Sequence, residues 1–153
     1  MYKKEEASRI KHAFWTVLGQ YIAPHPSAEG IKVNWVNYKT GFKHVQFKMQ
    51  ADNKKATIGI ELSHPDIEIQ QMYFEQFLSQ KNYLHSILNE EWDWGLHITN
   101  VEERIVSSIK KELMPINIYN EGDWPTLISF FKIRIIALDE FWSDAKFGFE
   151  SLR

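Results

Sequence analysis

Apolar residues follow helical and alternating patterns that divide the chain into eight predicted elements. In residues 3–22 they recur every three or four positions, which predicts an amphipathic helix. Pro24 and Pro26 end this helix, because proline disfavours helical geometry in the residue before it. Residues 31–38 then alternate between apolar and polar side chains, which predicts a first strand.

The next two predicted strands, around residues 45–49 and 56–62, form a hairpin. Because both strands must bury the same face, opposed positions have numbers that sum to an odd value, and Lys48 lies across from Gly59. Lys48 and Glu61 then share the polar face, opposite each other or one step apart, within reach of an interaction. Gly59 is expected to leave an open patch beside them.

The hairpin leads into a second predicted helix. Ser63 suits the N-cap and Pro65 the first turn, and the apolar stripe continues to about residue 91. Residues 92–98 alternate again and predict a fourth strand. Residues 105–113 fit either a helix or a strand; their β-branched residues and the short connection favour a strand.

The chain closes with a short predicted strand at residues 116–119 and a long final helix. Asp123 is its expected N-cap, with Pro125 just inside. The order is therefore α-β-β-β-α-β-β-α. We predict one α+β domain over residues 1–153, in which three helices cover a mainly antiparallel sheet of four to six strands.

Composition narrows the function classes. The chain has 153 residues, 44% of them hydrophobic and 25% charged, and its net charge is −2. No cysteine is present, which excludes disulfides and fits a reducing compartment. No apolar run reaches the roughly 20 residues that a membrane helix needs, and the N-terminus leads into no secretory signal. We expect a cytoplasmic protein without a membrane partner.

Charge is unevenly placed along the sequence. Residues 32–55 hold six lysines and a single acid, whereas residues 61–93 hold seven acids and a single lysine. The lysines can simply solubilise a hairpin, or they can form a basic edge that meets an anion such as nucleic acid. The candidate binding residues are Lys39, Lys43, Lys48, Lys54 and Lys55.

No strong catalytic motif is present. The six histidines are scattered without the spacing that places two ligands on one helical face, so no metal site is predicted. Ser63, His64 and Asp66 are too close in sequence for a catalytic triad, whose members converge from separate elements. No glycine-rich phosphate loop occurs. The chain is therefore expected to bind rather than to catalyse, and to need no cofactor.

The predicted element order nevertheless resembles the core of the restriction-endonuclease-like fold. That resemblance implies carboxylates on two neighbouring strands that hold Mg²⁺, and a lysine two residues after the second of them. Asp52 and Glu61 match the two carboxylates. Glu5 or Glu6 matches the acid that the first helix often supplies.

The lysine of that pattern is missing, because Ser63 stands two residues after Glu61. Lys48 from the neighbouring strand or Lys81 from the second helix could supply the ammonium. The candidate catalytic residues of a nuclease are therefore Glu6, Lys48, Asp52 and Glu61, with Mg²⁺ as cofactor only in that case.

Longer strings of residues resemble a family of small bacterial proteins, the domain of unknown function 4268. They are EEASRI at 5–10, FW at 14–15, PHPSAEG at 24–30, NWVNY at 34–38, YFEQF at 73–77, EWDW at 91–94, DWP at 123–125 and LDEFW at 138–142. The resemblance spans nearly the whole chain. It implies family membership, and a link to nucleic-acid processing only by analogy with larger proteins that carry such a domain.

Three functions follow as hypotheses. The first is a non-enzymatic binding or interaction module that contacts nucleic acid or another protein. It is motivated by the basic hairpin and by two aromatic residues expected to be exposed, Tyr38 and Trp15, the latter lying outside the apolar stripe of the first helix. The second is a divalent-metal nuclease with a degenerate site. The third is a homodimer that associates through the acidic helix or an aromatic patch.

Overall fold

A computed structural model describes residues 3–153 of the chain, and it has an α+β architecture. The elements are α1 (Lys4–Ile22), β1 (Val45–Ala51), β2 (Ala56–Leu62), α2 (Ile67–Ser79), α3 (Lys81–Leu88), β3 (Asp93–Thr99), β4 (Ile105–Leu113) and α4 (Trp124–Ala145). Short 3₁₀ turns precede and follow α4, at Glu121–Asp123 and Lys146–Leu152. The described residues thus hold four α-helices, where three were predicted.

The four strands form one antiparallel sheet in the order β1-β2-β4-β3. The register expected for the first hairpin is confirmed, since Lys48 pairs with Gly59 and Gln46 pairs with Glu61. The prediction that residues 105–113 form a strand is confirmed as well, and β4 lies in the middle of the sheet against β2.

The strand predicted at residues 31–38 does not form. Ile31 is 55% exposed whereas Trp35 is 2% exposed, so the two residues do not share a buried face. The segment is held instead by side chains: the Trp35 indole N–H donates to the carbonyl of His25 at 3.0 Å, and the Asn34 side chain accepts from the N–H of Asn37. An alternation over so few residues arises equally from an irregular segment anchored by one large ring.

The predicted last strand at residues 116–119 is also absent. The N–H groups of Ile116 and Ile118 donate to the carbonyls of Lys54 and Asp52, which fastens this segment to the turn between β1 and β2. The contact is too short and too irregular to make a fifth strand.

The long helix predicted after the hairpin begins later and is broken in two. Asp66, not Ser63, is its N-cap, and the Asp66 carboxylate accepts from the N–H groups of Glu68 and Ile69. The N–H of Ser63 donates to the carbonyl of His44, so Ser63 still belongs to the hairpin. The helix breaks at Gln80, between α2 and α3.

The helices cover one face of the sheet. α2 and α4 pack on the strands, and α1 packs on α4. The covered face carries Phe47, Ile58, Ile60 and Ile109. They meet a cluster of rings from α2, α4, the C-terminal turn and the segment before β1. Its members are Phe42, Phe77, Phe141, Trp142 and Phe149. None of the helices within residues 3–153 combines the length and apolar character that crossing a bilayer requires.

Candidate functional site

The face of the sheet that carries no helix forms a groove of about 440 Å³. Its floor is made by alternate residues of the three adjacent strands, namely Lys48 from β1, Gly59 and Glu61 from β2, and Lys110 from β4. The connection between β3 and β4 forms one wall, where Val101 is 91% exposed. We call this surface the sheet groove.

An ion pair joins two strands on the floor of the sheet groove. The Lys48 ammonium lies 2.5 Å from a carboxylate oxygen of Glu61, and their side chains are 38% and 15% exposed. The register argument predicted this proximity, because a side chain shares its face with every second residue of the facing strand. Each of the two charges is therefore balanced by the other.

At Gly59, β4 lies too close to β2 to leave room for a side chain. A Cβ atom placed there would lie 2.8 Å from the carbonyl oxygen of Ile109 and 2.8 Å from the Lys110 Cβ. The prediction of an open patch beside Gly59 is therefore wrong, because β4 occupies that space. Lys110 enters the groove directly opposite Gly59.

Asp52 lies at the end of the sheet groove, in the turn between β1 and β2. Its carboxylate accepts from the N–H groups of Lys54 and Lys55 at 2.8 and 2.9 Å. Partial burial alone would raise the pKa of Asp52, but these two bonds and the charges of Lys55 and Lys11 lower it below its ordinary value. The carboxylate thus holds the turn, and the neighbouring Lys55 pairs with Glu112 at 3.2 Å.

The sheet groove continues around this turn to α1. Lys11 and Trp15 line a recess of about 350 Å³ that shares the turn residues Asp52 and Lys55, and the strand residues Gln50 and Thr57, with the sheet groove. Sequence reasoning noted Trp15 outside the apolar stripe of the first helix but missed Lys11. The signal was available, since residues four apart on a helix lie on the same side.

The five candidate binding lysines do not form one patch. Lys48, Lys54 and Lys55 lie along the sheet groove or at its turn. Lys43 precedes β1 at the opposite end of that seven-residue strand, roughly 20 Å away at about 3.3 Å per residue. Lys39 lines a different cleft, beside α4.

The candidate nuclease residues are brought together only in part. Lys48, Asp52 and Glu61 all line the sheet groove, whereas Glu6, in the first turn of α1, is not among its lining residues. Within residues 3–153, no three His, Cys, Asp or Glu side chains are grouped closely enough to hold a metal ion.

Comparison with protein families places this groove in a known domain. A family model described as a domain of unknown function, DUF4268, matches residues 10–146. The chain belongs to this family. The match includes Lys11, Lys48, Glu61 and Lys110. Searches of curated proteins and of solved structures found no match for the DUF4268 chain.

The DUF4268 match also includes a second site, a cleft of about 290 Å³ between residues 27–40 and α4. We call it the Asp139 cleft. Asp139 is 5% exposed, and its two oxygens accept from the Tyr38 hydroxyl at 2.5 Å and from the Ala28 N–H at 2.7 Å. At its mouth the Lys146 ammonium lies 2.5 Å from Glu29.

Sequence reasoning did not single out Asp139. The signal was a polar residue on the buried stripe of the final helix, four positions after Ile135 and three before Trp142. Tyr38 was expected to be an exposed aromatic. Instead its ring stacks on Phe47, with centroids 5.1 Å apart, and its hydroxyl reaches Asp139.

Proposed function

We propose that this DUF4268 domain is a non-enzymatic module that binds single-stranded nucleic acid along the sheet groove and around its turn. The observation that carries the proposal is the continuity of the groove with the recess lined by Lys11 and Trp15. A strand of nucleic acid needs such a path of cations with an aromatic ring beside it.

The cations come from three separate elements. Lys11 belongs to α1, Lys54 and Lys55 to the turn, and Lys110 to β4. Lys54 and Lys110 form no ion pair with another residue of the described part of the chain. The pair between Lys55 and Glu112 is partly exposed, so it is weak and Lys55 can exchange its partner for a phosphate.

The acids at this end of the groove are already engaged. The Asp52 carboxylate accepts backbone N–H groups of the turn, and Glu112 is held by Lys55. Farther along, Glu61 is paired with Lys48. A phosphate at the turn therefore meets ammonium groups whose charge is offset only in part.

The shape of the site favours a single strand over a duplex. Duplex readers usually insert a helix or a β-ribbon into the major groove, and here the cationic surface is concave. Trp15 is half-buried, packed against Phe14 and Phe131, and lines the recess beside Lys11. Base stacking on such a ring is tolerant of sequence.

Fluorescence anisotropy with labelled DNA and RNA strands of about 20 nucleotides, and with duplexes of equal length, tests the proposal. Single strands should bind more tightly than duplexes. With three to four phosphates neutralised, log K should fall against log salt with a slope of about −2 to −3.

A matched pair of double variants locates the binding. K11E with K54E should weaken single-strand binding at least about tenfold, because two phosphate contacts become repulsions. K32E with K43E removes the same charge from the same half of the sequence, outside the groove turn, and should change affinity less than about twofold. Equal losses in both variants, or no binding by the wild-type domain at low salt, would overturn the proposal.

The same assay distinguishes the other functions. The nuclease alternative is supported by the shared position of Lys48, Asp52 and Glu61, and it predicts Mg²⁺-dependent cleavage that Glu61→Ala abolishes. A homodimer predicts twice the monomer mass in light scattering after size-exclusion chromatography. Either result, without salt-sensitive single-strand binding, would replace the module proposed here.

A further inference from the structure

We infer that the Asp139 cleft binds a small ligand through a primary ammonium group. This site lies on the helix-covered side of the sheet and is independent of nucleic-acid binding in the sheet groove. The inference starts from a buried carboxyl group that lacks a cationic partner.

Asp139 is 95% buried, yet within residues 3–153 it forms no ion pair. Its two hydrogen bonds come from neutral donors, the Tyr38 hydroxyl and the Ala28 N–H. Buried carboxylates are ordinarily paired with a cation, because solvent no longer stabilises the charge. A carboxylate has about four acceptor positions, and two of these remain on Asp139.

The electrostatics around Tyr38 are negative as well. Burial raises the pKa of Tyr38, and the hydrogen bond to Asp139 and the charges of Asp139 and Glu29 raise it further. At the mouth of the cleft the Lys146 ammonium pairs with Glu29, and Lys39 lines the cleft without forming an ion pair within residues 3–153. A ligand cation would therefore supply the partner that neither lysine gives to Asp139.

The remaining acceptors fit an ammonium better than other cations. Each oxygen of Asp139 already accepts one hydrogen bond, and this hinders the two parallel bonds that a guanidinium donates to a carboxylate. Within residues 3–153, no three His, Cys, Asp or Glu side chains are grouped closely enough to hold a metal ion, so Asp139 lacks companion ligands of that kind. A compact ammonium with three N–H donors can reach Asp139 and the Tyr38 oxygen together.

The rest of the cleft sets the size and character of the ligand. Ile31, Val33 and Trp142 give it apolar walls, and its volume of about 290 Å³ is at the lower limit for small-molecule sites. The Ser27 hydroxyl accepts from the N–H groups of Glu29 and Ile31, so its own proton is available to a ligand oxygen. A short aliphatic amine that carries a hydroxyl or carbonyl group meets these requirements.

The ammonium can belong to a free amine or to a lysine side chain of a partner. ¹⁵N-labelled protein should be titrated with ethanolamine, with putrescine, and with an acetylated tripeptide that contains one lysine. Two controls complete the series: butanol lacks the positive charge, and tetramethylammonium has the charge but no N–H donors. Binding by the free amines alone indicates a metabolite-type ligand, and binding by the peptide alone a partner's lysine.

The expected result is a saturable shift of the Ala28 amide, which donates to Asp139, with a Kd of about millimolar order. Asp139→Asn should weaken the affinity at least about tenfold, since it removes the charge from the bond. Ser143→Trp keeps the Asp139 carboxyl group but fills the cleft, and it should abolish the shift. This second variant tests the inference even if Asp139→Asn fails to fold. Equal shifts with butanol, or none at Ala28 with any amine, would overturn the inference.

Discussion

Gly59 illustrates how one residue without a side chain determines the geometry of the sheet groove. β2 and β4 approach each other so closely here that a Cβ atom would overlap the backbone of β4. Backbone atoms cannot move aside as the end of a flexible side chain can. The position of Lys110 in the groove therefore depends on Gly59.

Gly59→Ala should lower the free energy of unfolding by about 1–3 kcal/mol, the usual cost of overpacking. Urea unfolding followed by circular dichroism measures the change. Gly19→Ala, within α1, is the matched control, because its new methyl group would lie 3.4 Å from the Val36 side chain, an ordinary contact distance. Alanine suits a helix better than glycine, so this variant should gain about 0.5–1 kcal/mol. Destabilisation of equal size in both variants would contradict the packing argument.

His44 makes the stability of the fold depend on pH. Its ring lies 4.5 Å from that of His64, and His64 Nδ1 accepts from the N–H of Asp66. Burial lowers the pKa of His44, and the charges of His64 and Lys43 lower it further. The unfolded chain therefore takes up this proton more readily than the folded one.

The sign of the effect follows from linkage. The free energy of unfolding is highest above the ordinary histidine pKa of about 6.5 and falls as the pH is lowered towards the folded-state value. Urea unfolding at several pH values should show this fall in the wild type and a smaller one in His44→Gln. His12→Gln, at an exposed position of α1, should behave as the wild type does. A wild-type pH dependence retained in His44→Gln would exclude His44 as the cause.

Among residues, the sequence predicted those whose position follows from a repeating geometry. Lys48 and Glu61 were placed together because strand pairing has a period of two. The bond between Tyr38 and Asp139 joins positions 101 residues apart, with no periodic relation between them. Only the fold brings such a pair together, and local patterns cannot reveal it.

At the scale of elements, residues 31–40 form an irregular segment that is held by a few side-chain bonds. Tyr38 and Trp35 anchor it to Asp139 and to His25, and Trp142 donates its indole N–H to the carbonyl of Thr40. Because no strand pairing supports this segment, its order depends on these bonds. It also forms one wall of the Asp139 cleft.

Tyr38→Phe should therefore accelerate amide hydrogen exchange in residues 27–40 by about tenfold or more, since a hydrogen bond to a charged group contributes about 1.5–3 kcal/mol. Exchange in β2 and β4 should stay unchanged. Mass spectrometry of exchanged peptides measures both. Tyr83→Phe removes a comparable bond, from Tyr83 to Asp144 at 2.6 Å, and should leave residues 27–40 as in the wild type. Uniform acceleration across the sheet would show that Tyr38 supports the whole fold instead.

The predicted elements that failed share a physical reason. The strand expected at residues 31–38 and the uninterrupted helix after the hairpin were read from apolar spacing alone. Spacing shows which residues are buried, but side-chain anchors such as Trp35 bury irregular chain equally well. Ser63 has the composition of an N-cap, yet its N–H is used by the hairpin, and Asp66 takes the role. The residue that caps a helix is thus determined by which neighbouring side-chain and backbone groups form the competing hydrogen bonds.

At the scale of the whole molecule, the net charge of −2 does not reveal that the two faces of the sheet differ in their side chains. The helices bury one face of the sheet. The other face gathers Lys48 and Lys55, each paired with a glutamate, and Lys110, which forms no ion pair within residues 3–153. The pattern of apolar and polar residues predicted the α+β class and an antiparallel sheet. It could not predict that α1 would bring Lys11 and Trp15 to the same turn, because that depends on how α1 packs on α4.

The most direct test of the account is a titration of ¹⁵N-labelled domain with an unlabelled single strand of DNA or RNA, followed by amide chemical shifts. The account predicts saturable shifts at Lys11, Lys54, Lys55, Gly59 and Lys110, which weaken as salt is added. Amides of residues 31–38 should not move. Shifts centred on that segment, or an unchanged spectrum at low salt, would contradict the assignment of the sheet groove as a nucleic-acid site.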